Sequence, residues 1–265
     1  MVQVNIPRVL CVSLFAIAGI SALSASAAGA HPHETVPPVT DAAGYAAYVY
    51  QGEGNYERAS FLCEDAKGES LIALTQFRNG KVKAIQRHDR TDLGRSQFDW
   101  IALVDPDAGM SQIRYTLQDA TTGKARGTMN TVSPGAVAED PDAVAFPIIS
   151  SVEFDGTRTD CRSRHEAIFT GYLDDRTVAV EPNANGGFDL VTWSMRAPAK
   201  GPEVIEGGTV ERSADGTVRY AFSQGHSVIT LTIPKVDEWN GATMKVEGDR
   251  GELVELFIHA YITTI

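Results

Sequence analysis

Short runs of apolar residues recur along most of the chain, and glycine, proline or aspartate interrupts nearly all of them. Within residues 112–117, the apolar side chains of Ile113, Tyr115 and Leu117 alternate with polar ones, which is the period of a half-buried strand. Strands spaced by about 8–12 residues without helical patterns between them are typical of sandwiches and barrels. We therefore predict an all-β protein, an antiparallel meander that forms barrel- or sandwich-like lobes and contains little helix.

The clearest local signal is the Asn79-Gly80 pair, which lies between the apolar runs 70–77 and 82–87. Asn and Gly both tolerate a positive φ, so this pair between two strand-like runs predicts a β-hairpin. Asp215-Gly216 predicts a similar turn later in the chain. The other predicted strands are 98–104, 112–117, 145–154, 176–181, 188–195, 209–212, 217–222, 227–233, 242–247 and 252–262.

The N-terminal segment has the three parts of a cleavable secretory signal. Arg8 supplies a positive charge, an apolar run covers Val9–Leu23, and small residues continue to Ala30. Two A-x-A cleavage sites compete, at residues 25–27 and 28–30. Because a membrane span needs about 20 apolar residues, the shorter run favours cleavage over an uncleaved anchor. We expect the protein in the periplasm or the extracellular space.

Composition also suggests how the rest of the chain is divided. The prolines before Val39 predict an extended, mobile arm, and Thr40-Asp41 could cap a short helix through Tyr50. A Pro-, Gly- and Asp-rich stretch after Ser133 is the best linker, although one large β-domain stays open as an alternative. The predicted organisation is a signal peptide at 1–30, an arm at 31–43, a first β-lobe at 44–134, a linker at 135–144 and a second β-lobe at 145–265.

The charge balance is strongly acidic, with 34 Asp and Glu against 23 Lys and Arg and a formal net charge of -11. Proteins that bind nucleic acid carry basic patches against the phosphates, so this class of partner is excluded. Docking on anionic lipid is disfavoured for the same reason. The remaining candidates are a cationic protein or a small ligand, and we do not expect a membrane-embedded chain.

Cleavage of the signal removes Cys11 and leaves Cys63 and Cys161. An even number of cysteines in an oxidising compartment predicts a disulfide between them, and two separately buried thiols are the alternative. Polar residues surround Cys161, and such a cluster is typical of a solvated, salt-bridged strand start. The cluster comprises Asp160, Arg162, Arg164, His165 and Glu166.

The predicted arm carries two histidines close together, His31 and His33. Cleavage after Ala30 would place a free amine beside His31, and an amine with imidazoles suits copper or zinc. Pro32 weakens any site that needs deprotonated backbone amides, because it has no N–H. A metal site at His31 and His33 is therefore one candidate, and a polar arm without metal is the other.

The tryptophans offer a second kind of candidate site. Trp100 and Trp193 fall inside alternating runs, so we expect them in the core. Trp239, followed by Asn240-Gly241, falls in a predicted loop and is the better candidate for an exposed binding contact.

No motif with a catalytic mechanism stands out. The chain has no G-x-S-x-G sequence, and His88-Asp89, a base beside a carboxylate, has no nucleophile placed against it. We expect no cofactor and assign no catalytic residue. The sequence favours a non-enzymatic binding or protein-interaction module, with an envelope-polymer hydrolase that uses paired carboxylates as the alternative.

Overall fold

A computed structural model describes most of the chain after residue 44. The described residues are 45–65, 67–68, 70–75, 81–87, 97–109, 111–132, 148–162, 164, 166–196, 200–235 and 241–264. The predicted signal peptide, arm and linker lie outside these ranges.

The described residues form eighteen β-strands, and every strand pairing is antiparallel. Within this part of the chain, no helix has the length and apolar content needed to span a membrane. The strands are β1 (Tyr45–Gly52), β2 (Asn55–Glu64), β3 (Leu71–Thr75), β4 (Val82–Arg87), β5 (Gln97–Ala108), β6 (Gln112–Asp119), β7 (Ala125–Val132), β8 (Ile148–Phe154), β9 (Thr157–Asp160), β10 (Phe169–Leu173), β11 (Arg176–Pro182), β12 (Phe188–Ser194), β13 (Glu203–Arg212), β14 (Val218–Gln224), β15 (Ser227–Ile233), β16 (Thr243–Glu247), β17 (Leu253–Leu256) and β18 (Ile258–Thr264).

The strands follow one another as a meander, with one exception at the C-terminus. β1 to β9 pair in sequence, and so do β10 to β17. β18 lies between β1 and β10, where Tyr48 pairs with Tyr261 on one side and Gly171 pairs with Tyr261 on the other. The predicted antiparallel meander is confirmed, and β18 joins its two runs into one sheet.

The sheet is not closed into a barrel. Among the described strands, β9 pairs only with β8, and β17 pairs only with β16. These two strands are the edges of the sheet. The barrel-like form predicted from the strand spacing is therefore not formed by these pairings.

The prediction of a short helix through Tyr50 is wrong, because this part of the chain is a strand. Residues Tyr45–Gly52 form β1, which pairs with both β2 and β18. Its residues point alternately to opposite faces, so Tyr48 and Val49 enter different hydrophobic clusters. A strand with neighbours on both sides buries Tyr and Val well, and this packing outweighs the local capping signal.

The apolar side chains collect in separate clusters. One cluster draws on β2 to β8 and includes Ile101 and Met129. A larger one draws on β1, β2 and β10 to β18 and includes Phe169 and Tyr261. The division at residues 135–144 into two lobes stays a prediction.

The strands predicted on either side of the two turns pair with each other. β3 pairs with β4, although Asn79-Gly80 itself lies outside the described residues, and β13 pairs with β14 around Asp215-Gly216. Gly216 has a φ of 90°, and the Asp215 carboxylate accepts a hydrogen bond from the Thr217 N–H at 2.9 Å. A residue without a side chain is required at this φ, which explains the Asp-Gly pair.

Candidate functional site

An open cleft of about 360 Å³ lies between the β1–β2 hairpin and the start of β18. Its position follows from the placement of β18 beside β1, which brings the two ends of the described chain together. The residues that line it are mostly aromatic or aliphatic: Tyr50, Gly54, Tyr56, Gly241, Ala242, Thr243, Glu255, Leu256, Phe257 and Ile258.

Three aromatic rings form one side of the cleft. The Tyr50 ring lies 5.2 Å from that of Tyr56 and 4.6 Å from that of Phe257, and its plane is nearly perpendicular to the Phe257 ring. Phe257 leaves 40% of its surface exposed, although it is one of the larger apolar side chains. An exposed aromatic face in a concave site is the kind of surface that apolar ligands cover.

Tyr56 is fixed in the floor of the cleft. Its hydroxyl donates a buried hydrogen bond to the Ile258 carbonyl oxygen at 2.6 Å. A Cβ atom at Gly241 would lie 2.0 Å from the Tyr56 ring, so only glycine allows this approach. Burial, and secondarily Tyr50, raises the pKa of Tyr56 to about 12 against the opposing charge of Arg87. The phenol therefore remains neutral and keeps donating its hydrogen bond at physiological pH.

Arg87 holds the backbone behind the aromatic rings. Its guanidinium is buried and donates hydrogen bonds to the carbonyl oxygen of Tyr50 and, at 3.4 Å, to that of His259. Burial lowers the pKa of Arg87 to about 10. The His259 ring, in edge contact with Phe257, forms a hydrogen bond to Asp174. The wall of the cleft is therefore a fixed structure and not a loose loop.

Few polar groups face the cleft. Glu255 supplies the carboxylate among the described lining residues, and Lys245 lies 3.6 Å from it. The Tyr50 hydroxyl accepts a hydrogen bond from the Gly54 N–H at 3.2 Å, which leaves its proton to donate. This arrangement can bind and orient a ligand. It does not place a base against a nucleophile.

Sequence patterns alone do not locate the aromatic residues of this cleft. They predict a short helix through Tyr50 and place Phe257 in the middle of one strand over 252–262. The structure ends β17 at Leu256 and begins β18 at Ile258, so Phe257 is a break between two strands. Three consecutive apolar residues, 256–258, break the alternation there, and this signal could have located the bend.

The predicted disulfide is confirmed. Cys63 and Cys161 are bonded, with their Cα atoms 5.1 Å apart. The bond ties the end of β2 to the residue after β9, and the Arg162 N–H donates to the Glu64 carbonyl oxygen beside it at 2.8 Å. Neither cysteine lines the cleft, and the bond serves as a structural link.

The polar cluster around Cys161 is salt-bridged, as predicted, but it is only partly solvated. Arg164 is buried, with its guanidinium 3.1 Å from Glu64 and 3.5 Å from the centre of the Trp193 ring. Burial lowers the pKa of Arg164, and the Glu64 charge opposes this effect. A cavity of about 40 Å³ beside Glu64 and Trp193 is large enough for water but not for an organic ligand.

A second group of charges lies on the surface around Arg126. Its guanidinium is 3.2 Å from Asp99 and 3.8 Å from Asp119, and it donates hydrogen bonds to Asp155. Hydrogen bonds from Thr122 lower the pKa of Asp119, and that from Arg126 lowers the pKa of Asp155. Both carboxyls are therefore held ionised, which makes them unsuitable as general acids.

The other predicted site residues have different outcomes. His31, His33 and Trp239 lie outside the described residues, so the metal site and the loop contact stay predictions. Trp100 is half exposed on β5, so its prediction as a core residue is wrong. Across the described part of the chain, no three His, Cys, Asp or Glu side chains are grouped to hold a metal ion.

The cleft and its charges are the features from which a function can be proposed. No protein-family model matches the chain, and none of the curated proteins matches it either.

Proposed function

We propose that the chain is an exported, non-enzymatic binding module whose aromatic cleft holds an apolar group of its ligand. The observation that carries the proposal is the exposed Phe257 ring in a cleft of about 360 Å³. Binding sites for small molecules are typically concave, largely apolar and about 300–1,000 Å³ in volume. The cleft meets each of these criteria.

The fixed walls of the cleft also favour binding. Arg87 and Tyr56 bond to backbone carbonyl groups on both sides of it. A site that is already ordered loses little conformational entropy when a ligand arrives. Ordering of this kind supports a preformed pocket over a surface that rearranges.

Export is supported by the predicted signal at residues 1–30 and is compatible with the Cys63–Cys161 disulfide. Structural disulfides persist in oxidising compartments and are rare in the cytosol. The acidic charge of the chain further favours a ligand or partner that is neutral or cationic.

The hydrolase alternative has less support. Hydrolysis by paired carboxylates requires one carboxyl that keeps its proton. The carboxylates grouped around Arg126 have the opposite tendency, because the pKa values of Asp119 and Asp155 are lowered.

A neutral fluorescent dye such as Nile red tests the cleft directly. We expect saturable binding that weakens about tenfold in Phe257→Ala, since the ring contributes roughly 50 Å² of apolar contact at about 25 cal/mol per Å². Trp100→Ala is the matched control, because it removes an aromatic ring that is also exposed but lies on β5. Equal dye affinity in both variants would show that the cleft is not the binding site.

A further inference from the structure

We infer that the open edge of β17 receives an extended peptide from a partner protein, with alternating basic and apolar side chains, whose apolar side chains enter the aromatic cleft. This inference rests on the proposed binding function of the cleft and names the class of its ligand. Addition of a strand to an exposed sheet edge is a common mode of peptide recognition.

The first support is the direction of the backbone groups of β17. Gly248 donates its N–H to the Glu252 carbonyl oxygen at 2.9 Å, and the β16–β17 register continues with Val254 opposite Val246. Hydrogen-bonded and non-bonded pairs alternate along an antiparallel ladder. The N–H and C=O groups of Leu253 and Glu255 therefore point away from β16, toward the open side.

The second support is the exposure of apolar side chains on both faces of this edge. Leu253 is 59% exposed on one face, and Val254 is 53% exposed on the other. β9, the other edge, has the sequence Thr-Arg-Thr-Asp and carries an ion pair between Arg158 and Asp160. Polar and charged residues normally protect sheet edges from pairing, so β9 is protected and β17 is not.

The edge and the cleft are continuous. Glu255 and Leu256 belong to β17 and also line the cleft. Val254 and Leu256 share the face that packs toward the larger hydrophobic cluster, whereas Leu253 and Glu255 share the opposite face. Every second side chain of an added strand would therefore lie on the face of Val254 and Leu256, and the one beside Leu256 would lie next to the cleft.

The charge of the β16–β17 hairpin selects a basic partner. Four carboxylates and two cationic side chains lie between residues 245 and 255, and Glu53 lies in the β1–β2 turn beside the cleft. Opposite charges on directly opposed strand residues are stabilising. The hairpin charges are Lys245, Glu247, Asp249, Arg250, Glu252 and Glu255.

The same charges disfavour a second copy of this chain as the occupant. Pairing of two β17 edges would bring two acidic β16–β17 hairpins together, and each copy carries a net charge of -11. Like charges across a strand pair are destabilising. A peptide with Lys or Arg opposite Glu255 removes this repulsion.

The test uses a fluorescently labelled octapeptide of alternating Lys and Val, titrated with the full-length protein and followed by anisotropy. In a strand, successive N–H groups point to opposite sides, so we compare two derivatives, one N-methylated at the valines and one at the lysines. We expect one derivative to lose affinity at least tenfold and the other to bind within twofold of the parent. Equal affinities of the two derivatives would overturn strand addition.

Charge and protein variants complete the test. We expect Glu255→Lys to lower the affinity for the parent peptide at least fivefold. Asp160→Lys on β9 should leave this affinity within twofold of the wild-type value. An equally tight complex with an alternating Glu-Val peptide would overturn the basic class of ligand. Dimers of the free protein that depend on Leu253 and Val254, seen by sedimentation, would overturn the choice of partner.

The dye distinguishes failure of this inference from failure of the proposed function. Dye binding at Phe257 without peptide binding would overturn strand addition alone and leave the cleft as a small-ligand site. Absence of both would overturn both proposals. Displacement of the dye by the peptide is the expected result.

Discussion

Tyr56 is held from three sides, and each contact restricts a different motion of the ring. The hydroxyl bonds to Ile258, the ring packs against Gly241, and the rings of Tyr50 and Tyr261 lie within about 6 Å. The hydrogen-bond partner Ile258 is 202 residues away in the sequence. Local patterns indicate a strand at Tyr56, but the floor of the cleft arises only when distant segments meet, so the sequence could not predict it.

Tyr56→Phe tests this anchor. We expect a loss of about 1–2 kcal/mol in the free energy of unfolding at neutral pH, because the buried Ile258 carbonyl loses its donor. Tyr115→Phe is the control, since this tyrosine is half-buried and its hydroxyl has no hydrogen bond within the described residues. Urea unfolding of both variants measures the difference, and equal costs would contradict the anchoring role.

Tyr56→Phe should also change how the free energy of unfolding depends on pH. The pKa of Tyr56 is about 12 in the folded protein and about 10 when unfolded, so its contribution is complete below pH 10 and is lost as the pH rises to 12. The free energy of unfolding should therefore fall more steeply between pH 10 and 12 in the wild-type protein than in Tyr56→Phe.

The individual strands were the most predictable feature, and their ends were the least. The predicted runs 82–87 and 227–233 coincide with β4 and β15, because their apolar residues alternate between clear turns. The run 252–262 contains two strands, since Phe257 bends the chain between them. β10 was missed because Gly171 and Thr170 weaken its pattern, although all five of its residues are buried.

The link between the elements around Cys161 depends on a buried charge. Glu64 at the end of β2 is 1% exposed and Arg164 is 7% exposed, and their side chains are 3.1 Å apart. We expect Glu64→Gln to lower the free energy of unfolding by about 3 kcal/mol, because Arg164 is left buried without its countercharge. Asp160→Asn breaks the exposed pair with Arg158 and should cost less than about 1 kcal/mol. Chemical unfolding measures the free energy of unfolding of both variants. Similar losses in Glu64→Gln and Asp160→Asn would contradict a stabilising role for the buried ion pair.

For the whole molecule, the Cys63–Cys161 bond closes a loop that contains β3 to β9. The sequence predicted the bond from the number of cysteines and the compartment, but not that it lies beside a buried ion pair. The sequence separation of 98 residues makes the bond effective, since the entropy removed from the unfolded chain grows with loop length.

Reduction of this bond should lower the free energy of unfolding by about 4–5 kcal/mol. Unfolding curves with and without reductant measure the effect, and a Cys63→Ala/Cys161→Ala variant should match the reduced protein and no longer respond to reductant. A response that persists in the double variant would show that reductant acts elsewhere.

The position of β18 has a consequence for how the chain must fold. β18 is the last of the described strands along the chain, yet it is a central strand that pairs with β1, where Tyr45 lies opposite Thr264. Contacts between residues so far apart form slowly, because the chain must close a long loop first. Until β18 pairs with them, β1 and β10 each keep an unsatisfied edge, and the folding chain is exposed to aggregation along those edges. Loss of β18 would therefore remove the middle of the sheet and not its margin.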